Sequence, residues 1–329
     1  ILGPEVQAFE REFADYLGVR HVVGVANGTD AITIALRALG VRPGDDVVVP
    51  SFTFYASVEA VVNAGARPVF CDVEADTRNV TADTVRAALT PATTAIVSVD
   101  LFGCPAPDLR DLGVPVLEDA AQAAGAALGG TRAGALGQAA TFSFYPSKNL
   151  GCFGDGGAIA TDDDGVAEAA RTLRFHGSRD KRTFETVGYN SRLDELQAAI
   201  LRVLLPHLDR WCDGRRAAAQ EYEDAGLSEY VRLPGVPADA LPAWHLYVVT
   251  HPEADALQAR LGAHGVAARG YYRTPVHRQA AMAPYARGAQ LPVTDELART
   301  NLALPMSPVL GRAQAAEVVG SVARTLAAV

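Results

Sequence analysis

The sequence predicts an α/β chain: a large domain on a mostly parallel mixed sheet over residues 1–208, then a smaller α+β domain over residues 209–329. Three observations carry this. From about residue 20, short Val/Ile-rich runs alternate with helical patterns, the order that a parallel sheet with crossover helices requires. After residue 208 the alternation stops, and Pro234, Pro237 and Pro242 punctuate the chain. The length of 329 residues, 49% of them hydrophobic, is enough to build two cores.

The runs that read as strands are His21–Ala26, Asp46–Phe52, Pro68–Val73, Thr94–Leu101, Val114–Asp119, Thr141–Tyr145 and Gly157–Thr161. Helical spacing fits between them at Asp30–Leu39, Ser57–Ala64, Ala82–Leu89 (with Thr81 as N-cap) and Gly165–Arg174. Arg192–Leu208 is a further amphipathic stretch, interrupted by Pro206. Beyond it, Trp244–Val249 reads as a strand and Arg312–Val329 as a closing Ala-rich helix.

The formal charge of −9 argues against a nucleic-acid partner, because a phosphate backbone needs concentrated basic surface. It leaves room for a phosphorylated small substrate, which needs only a local basic pocket. Cys71, Cys104, Cys152 and Cys212 are widely spaced without a Cys-x-x-Cys pair, as in a reduced, cytoplasmic protein with no structural metal site. No apolar run reaches membrane-spanning length, and no signal peptide is visible. The chain begins at Ile1 rather than a methionine, which is expected if a native N-terminal segment precedes it.

Ligands of open α/β sheets gather at the carboxyl ends of the strands, and the chemically interesting residues fall there. Lys148 follows the run Thr141–Tyr145 and precedes the glycine-rich loop Gly151–Gly157. Asp119 ends the run Val114–Asp119. An amine to capture an aldehyde and a carboxylate to pair a pyridine nitrogen are the two protein groups that pyridoxal phosphate chemistry requires. The turn Asn27-Gly28-Thr29-Asp30 leads into a helix. Taken alone it reads as an ordinary cap, with Thr29 or Asp30 as the N-cap residue. Beside Lys148 and Asp119 it reads as a phosphate cradle, with free N–H groups and a hydroxyl. Phe54 suits a ring stacked on the flat cofactor or a core aromatic. Gln122 lies within reach of the cofactor's phenolic oxygen, and Ser143 offers a second phosphate donor. The basic run Arg174–Arg182 suits either a clamp on a nucleotide diphosphate or a solvated loop. His277 borders the expected substrate region, and Cys152 reads as a packing residue.

Thr141–Gly157, Leu117–Gly125, Ala26–Leu36 and Gly188–Leu201 resemble the DegT/DnrJ/EryC1/StrS sugar aminotransferases. The resemblance runs from Ile1–Val6 to Leu302–Met306 and implies the fold type I architecture of pyridoxal phosphate enzymes. By that resemblance, Lys148 anchors the cofactor aldehyde, Asp119 pairs the ring nitrogen, Gln122 meets the ring hydroxyl and Phe54 stacks on the ring. Gly28, Thr29 and Ser143 hold the phosphate. Asn190 reaches the phosphate in the neighbouring subunit, so the resemblance implies a homodimer with shared sites. Arg192 and Tyr272 face the substrate sugar, although Arg192 also suits an ion pair with Asp194 or Glu195. Asp100 and Tyr271-Tyr272-Arg273 depart from the family's commoner residues at positions expected to border the sugar. Retention of Lys148 favours transamination over the dehydration of a histidine-bearing branch. The implied reaction passes an amino group from L-glutamate to a nucleotide-linked 3-keto-sugar, either a UDP-2-acetamido-3-keto-hexuronate or a dTDP-3-keto-6-deoxyhexose. A 4-keto-sugar, a keto-cyclitol and a non-catalytic cofactor-binding regulator are the alternatives.

Overall fold

The structure is a computed structural model and describes residues 1–327. Its first elements are α1 (Pro4–Leu17), β1 (His21–Val25), α2 (Gly28–Ala38), β2 (Asp46–Pro50), α3 (Tyr55–Asn63), β3 (Arg67–Cys71), α4 (Ala82–Ala88), β4 (Thr93–Val99) and β5 (Val116–Asp119). Then come β6 (Ala127–Leu128), β7 (Thr131–Arg132), β8 (Ala139–Ser143), β9 (Gly157–Thr161), α5 (Asp164–Arg174), α6 (Glu195–Leu204) and α7 (Leu208–Asp224). The chain closes with β10 (Ala240–Leu241), β11 (Tyr247–Thr250), α8 (Ala254–Ala263), α9 (Pro292–Thr300), β12 (Asn301–Leu304) and α10 (Arg312–Ala327).

The main sheet has seven strands in the order β1-β9-β8-β5-β4-β2-β3. Pairing is parallel from β8 through β5, β4 and β2 to β3, while β9 runs antiparallel to both of its neighbours. The expected mixed sheet is therefore present, with one reversed strand. That reversal has a cause in the connection. β8 returns straight into its neighbour without a crossover helix, so residues 144–156 form a loop at the carboxyl edge. All seven expected strands are found within a few residues of their expected limits.

Ahead of the strand–helix alternation lies α1, whose buried Val6, Phe9, Phe13 and Leu17 follow helical spacing. Phe13 meets Phe142 edge-on at 4.9 Å, and Phe9 meets Phe144 at 5.3 Å, so α1 covers one face of the sheet. Gly18 ends it with φ 77°, a left-handed position suited to glycine. Glu195 caps its start by accepting from the N–H groups of Gly3, Glu5 and Val6. Thr81 caps α4 as expected, in a reciprocal capping box with Thr84. The stretch Arg192–Leu208 is two helices rather than one. Pro206 sits in a short 3₁₀ turn between α6 and α7, and α7 continues well beyond the expected end.

The aliphatic core on the α2–α3 side of the sheet is joined by Val248, Val276 and Leu297 from the C-terminal region. A separate C-terminal core gathers Tyr222, Tyr247, Leu257, Leu302 and Val322 around the antiparallel pair β11–β12. The closing helix is present as α10, and the last two residues of its expected range lie outside the described residues. No described helix is long and apolar enough to cross a membrane.

Candidate active site

A cavity of about 1350 Å³ opens where the carboxyl ends of the strands meet the C-terminal region. Lys148 lines it from the β8–β9 loop, where its N–H closes a turn onto the carbonyl of Tyr145 at 2.8 Å. The next residue is pinned: Asn149 Nδ2 donates to the Ala243 carbonyl at 2.7 Å in a buried contact. The Lys148 amine has no hydrogen-bond partner among the described residues. Burial lowers its pKa, and the charge of Asp119 opposes that shift.

Asp119 is buried at the end of β5. Its Oδ2 accepts from Ser57 Oγ at 2.7 Å, and its Oδ1 accepts from the Ala121 N–H at 3.2 Å. Burial raises its pKa, against the pull of these two donors and of Lys148. The two groups thus oppose each other's burial effect across the cavity. A protonated ring nitrogen beside Asp119 would favour the carboxylate further.

At the other end, α2 begins at Gly28, and its N-cap is Asn27, not Thr29 or Asp30. Asn27 Oδ1 accepts from the Asp30 N–H at 2.8 Å, which leaves the N–H groups of Gly28 and Thr29 free at the helix start. Gly28 is packed so closely that a Cβ there would stand 2.8 Å from Ser143 Cβ. Ser143 is the last residue of β8, so β8 and α2 bring together all three expected phosphate ligands, and all line the cavity.

Phe54, 56% exposed and at the N-cap of α3, stands on the cavity wall rather than in the core. Tyr272 faces it with ring centroids 6.0 Å apart and stacks on Phe102 at 6.2 Å. Gln122 Nε2 donates to the Tyr272 hydroxyl at 3.0 Å, and its Oε1 accepts from the Phe102 N–H at 2.7 Å. Burial raises the Tyr272 pKa, which keeps the phenol neutral. The set fits pyridoxal phosphate: an unbonded amine, a buried carboxylate, free helix N–H groups over a glycine, and an exposed aromatic face.

Some expected residues lie elsewhere. Asn190 and Arg192 do not line this chain's cavity. Arg192 Nη2 donates to Asn190 Oδ1, and the guanidinium sits 6.0 Å from the Phe175 ring centroid. Arg192 therefore makes no ion pair with Asp194 or Glu195, and Glu195 is engaged as the cap of α1. Asp100 does not border the substrate space. It is buried beside Glu118, with Oδ1 accepting from the Ala106 N–H at 2.8 Å. Tyr271, Tyr272 and Arg273 do line the cavity. His277 is turned away into a buried contact with Ser51 Oγ at 2.7 Å. In the basic run, Arg174 is bonded to Glu10 and the Gly24 carbonyl, and Arg179 pairs with Glu168 and Glu185. None of that run lines the cavity. Cys152 is a packing residue whose thiol donates to the Phe144 carbonyl.

Ser57, Arg215 and His245 are among the lining residues that the sequence reading did not single out. Ser57 follows β2 by a few residues, so the rule of strand carboxyl ends would have found it. Arg215 and His245 come from α7 and the approach to β11, where the strand–helix alternation offers no guide.

The chain also matches known proteins. Residues 1–323 match the model of the DegT/DnrJ/EryC1/StrS aminotransferase family. A dTDP-3-amino-3,4,6-trideoxy-alpha-D-glucose transaminase of Streptomyces venezuelae is 46% identical over 98% of this chain and 87% of that protein. A UDP-N-acetyl-3-dehydro-alpha-D-glucosamine 3-aminotransferase of Acidithiobacillus ferrooxidans is 44% identical over 99% of this chain and 90% of that protein. The crystal structure of S. venezuelae DesV in complex with a ketimine intermediate superposes with a TM-score of 0.94, at 46% identity, over 98% of this chain and 90% of that one. The chain therefore belongs to the DegT/DnrJ/EryC1/StrS aminotransferase family, with its pyridoxal phosphate-dependent fold.

Proposed function

We propose that the protein transfers an amino group from L-glutamate to the keto carbon of a nucleotide-linked 3-keto-sugar. The observation that carries this is Lys148 set across one cavity from Asp119, with burial disfavouring the charge on its amine. Pyridoxal phosphate, when bound, supplies an electron sink conjugated to the reacting carbon. Gly28, Thr29 and Ser143 would hold its phosphate, and the Asp119 carboxylate would keep its ring nitrogen protonated. Phe54, exposed on the cavity wall, would shield the ring from water, and Gln122 and Tyr272, bonded to each other, would offer it polar partners. Lys148 Nζ would take the proton from the donor's α-carbon and deliver it to the former aldehyde carbon on the far side of the shared nitrogen, a role that the lowering of its pKa by burial favours.

Relatives whose names specify 3-amino products support the choice of carbon. Arg192 reads the substrate from a partner subunit, and Asn190 serves the partner's cofactor phosphate. Their position outside this chain's cavity fits that reading. So does the apolar surface left by Leu196 and Val203 on α6. We take residues 1–208 as the cofactor domain and 209–329 as the small domain, with α7 leading from one core to the other. Four buried, unpaired thiols fit a cytoplasmic enzyme.

The test is to convert the loaded protein with glutamate, remove the keto acid, and offer keto-sugars separately. A UDP- or dTDP-linked 3-keto-sugar should restore the original visible spectrum. Restoration by 4-keto-sugars alone would overturn the assignment of the carbon.

A further inference from the structure

Arg215 and His245 line the same cavity as Lys148, and neither has the partner its chemistry asks for. Arg215 donates Nη1 to the Trp244 carbonyl at 3.0 Å and toward that of His245 at 3.5 Å. No carboxylate among the described residues pairs with its guanidinium, although burial disfavours the charge. By contrast, Arg273 in the same cavity is matched by Asp255 at 2.8 Å. His245 Nδ1 is a buried nitrogen without a hydrogen-bond partner. Burial above all, then the charges of Lys148 and Arg215, act against a proton on this imidazole and leave His245 neutral. An uncompensated, partly buried cation beside an orphaned imidazole nitrogen is costly unless an anion completes it.

Several anions of the proposed reaction compete for this place. The γ-carboxylate of glutamate and the C6 carboxylate of a hexuronate are each set apart from the reacting carbon by further carbons. The cofactor phosphate belongs to the opposite end, at Gly28, Thr29 and Ser143. The nucleotide diphosphate is separated from the reacting carbon by the sugar ring. The α-carboxylate of an amino donor is attached directly to the carbon whose proton Lys148 removes, so it must dock within reach of that amine. We infer that Arg215 and His245 form the subsite for the α-carboxylate of the amino donor. The guanidinium supplies the charge-assisted bond, and the imidazole N–H supplies a second donor. The inference rests on the aminotransferase reading. It adds why a site that must also admit a sugar keeps an unpaired arginine beside its lysine: the donor's carboxylate occupies the arginine in one half-reaction only.

The test uses the cofactor-loaded protein and two variants, Arg215→Gln and Arg215→Lys. Cofactor absorbance and melting establish that each is folded and loaded. Stopped-flow spectra measure half-saturation by L-glutamate, and calorimetry measures binding of succinate, an unreactive dicarboxylate. Arg215→Gln should weaken both by at least about ten-fold, the scale of a lost charge-assisted bond, and Arg215→Lys by less. The reverse half-reaction with a nucleotide-linked amino-6-deoxy-sugar, which carries no carboxylate, should fall far less. Unchanged glutamate and succinate binding in Arg215→Gln would overturn the inference, as would equal losses with the amino-sugar. If the parent protein converts neither amine yet loses succinate binding in the variant, the aminotransferase reading fails while the carboxylate subsite stands.

Discussion

Ser57 Oγ donates to Asp119 Oδ2 at 2.7 Å, with both side chains buried. Thr53 Oγ1 stands 3.0 Å behind Ser57 Oγ. Because the Ser57 proton is directed at the carboxylate, Thr53 is the donor in that second contact. The relay runs from the segment after β2 to the end of β5 and so fixes the carboxylate relative to the first turn of α3, which carries Phe54. It also favours the ionised form, against the burial that disfavours it.

Ser57→Ala should therefore leave a buried carboxylate with one donor fewer. Loss of a hydrogen bond to a charged group predicts a drop of about 1–3 kcal/mol in cofactor-free stability at neutral pH, with weaker cofactor binding. Denaturant unfolding and cofactor titration check this. Unchanged values in both would show that Ser57 is incidental.

Asp119→Asn separates stability from function. The ordinary carboxyl pKa is 3.8, and the folded protein raises it. Above pH 3.8 the folded state holds this proton more tightly than the unfolded chain, so the parent loses stability as pH rises toward the folded value. Asparagine carries no such titration. The cofactor-free variant should gain on the parent as pH rises from 3.8 to the folded value and then hold a constant difference, while its turnover collapses. Melting curves against pH measure the gap, and a gap that shrinks with rising pH would contradict the burial argument.

Lys148→Ala should abolish turnover and the lysine-dependent visible absorption of the bound cofactor. Its effect on folding should be small, because the amine bonds to no described side chain and its charge is disfavoured where it stands. Borohydride trapping of cofactor at another specific lysine of the variant would move the assignment away from Lys148.

The strands were legible because each is a short apolar run closed by a turn, and the rule of carboxyl ends then pointed to Lys148, Asp119, Gly28 and Ser143, all of which line the cavity. What escaped depends on contacts distant in sequence. Asn27 takes the cap because its side chain reaches the Asp30 N–H, a choice among four adjacent polar or glycine residues that composition does not make. Asp100 directly follows β4 as Asp119 ends β5, yet it turns into the buried contact with Glu118, and strand order alone does not say to which side. Arg215 and His245 are brought to the cavity by α7 and the approach to β11, for which no strand-end rule exists.

Inactive Lys148→Ala and cofactor-poor Asn190→Ala protomers should complement when mixed under conditions that exchange subunits. One site of each heterodimer then contains only native parts. Exchange without recovered activity would place Asn190 outside the partner's site.

The most direct measurement follows one nitrogen. The loaded protein is treated with L-glutamate carrying an isotopically labelled amino group, freed of small molecules, and then given a nucleotide-linked 3-keto-sugar. The label should remain with the protein after the first step and appear on the sugar after the second, in an amount equal to the sites present. Label that never stays with the protein, or that stays but does not pass to the sugar, would contradict the proposed transfer through the Lys148–Asp119 site.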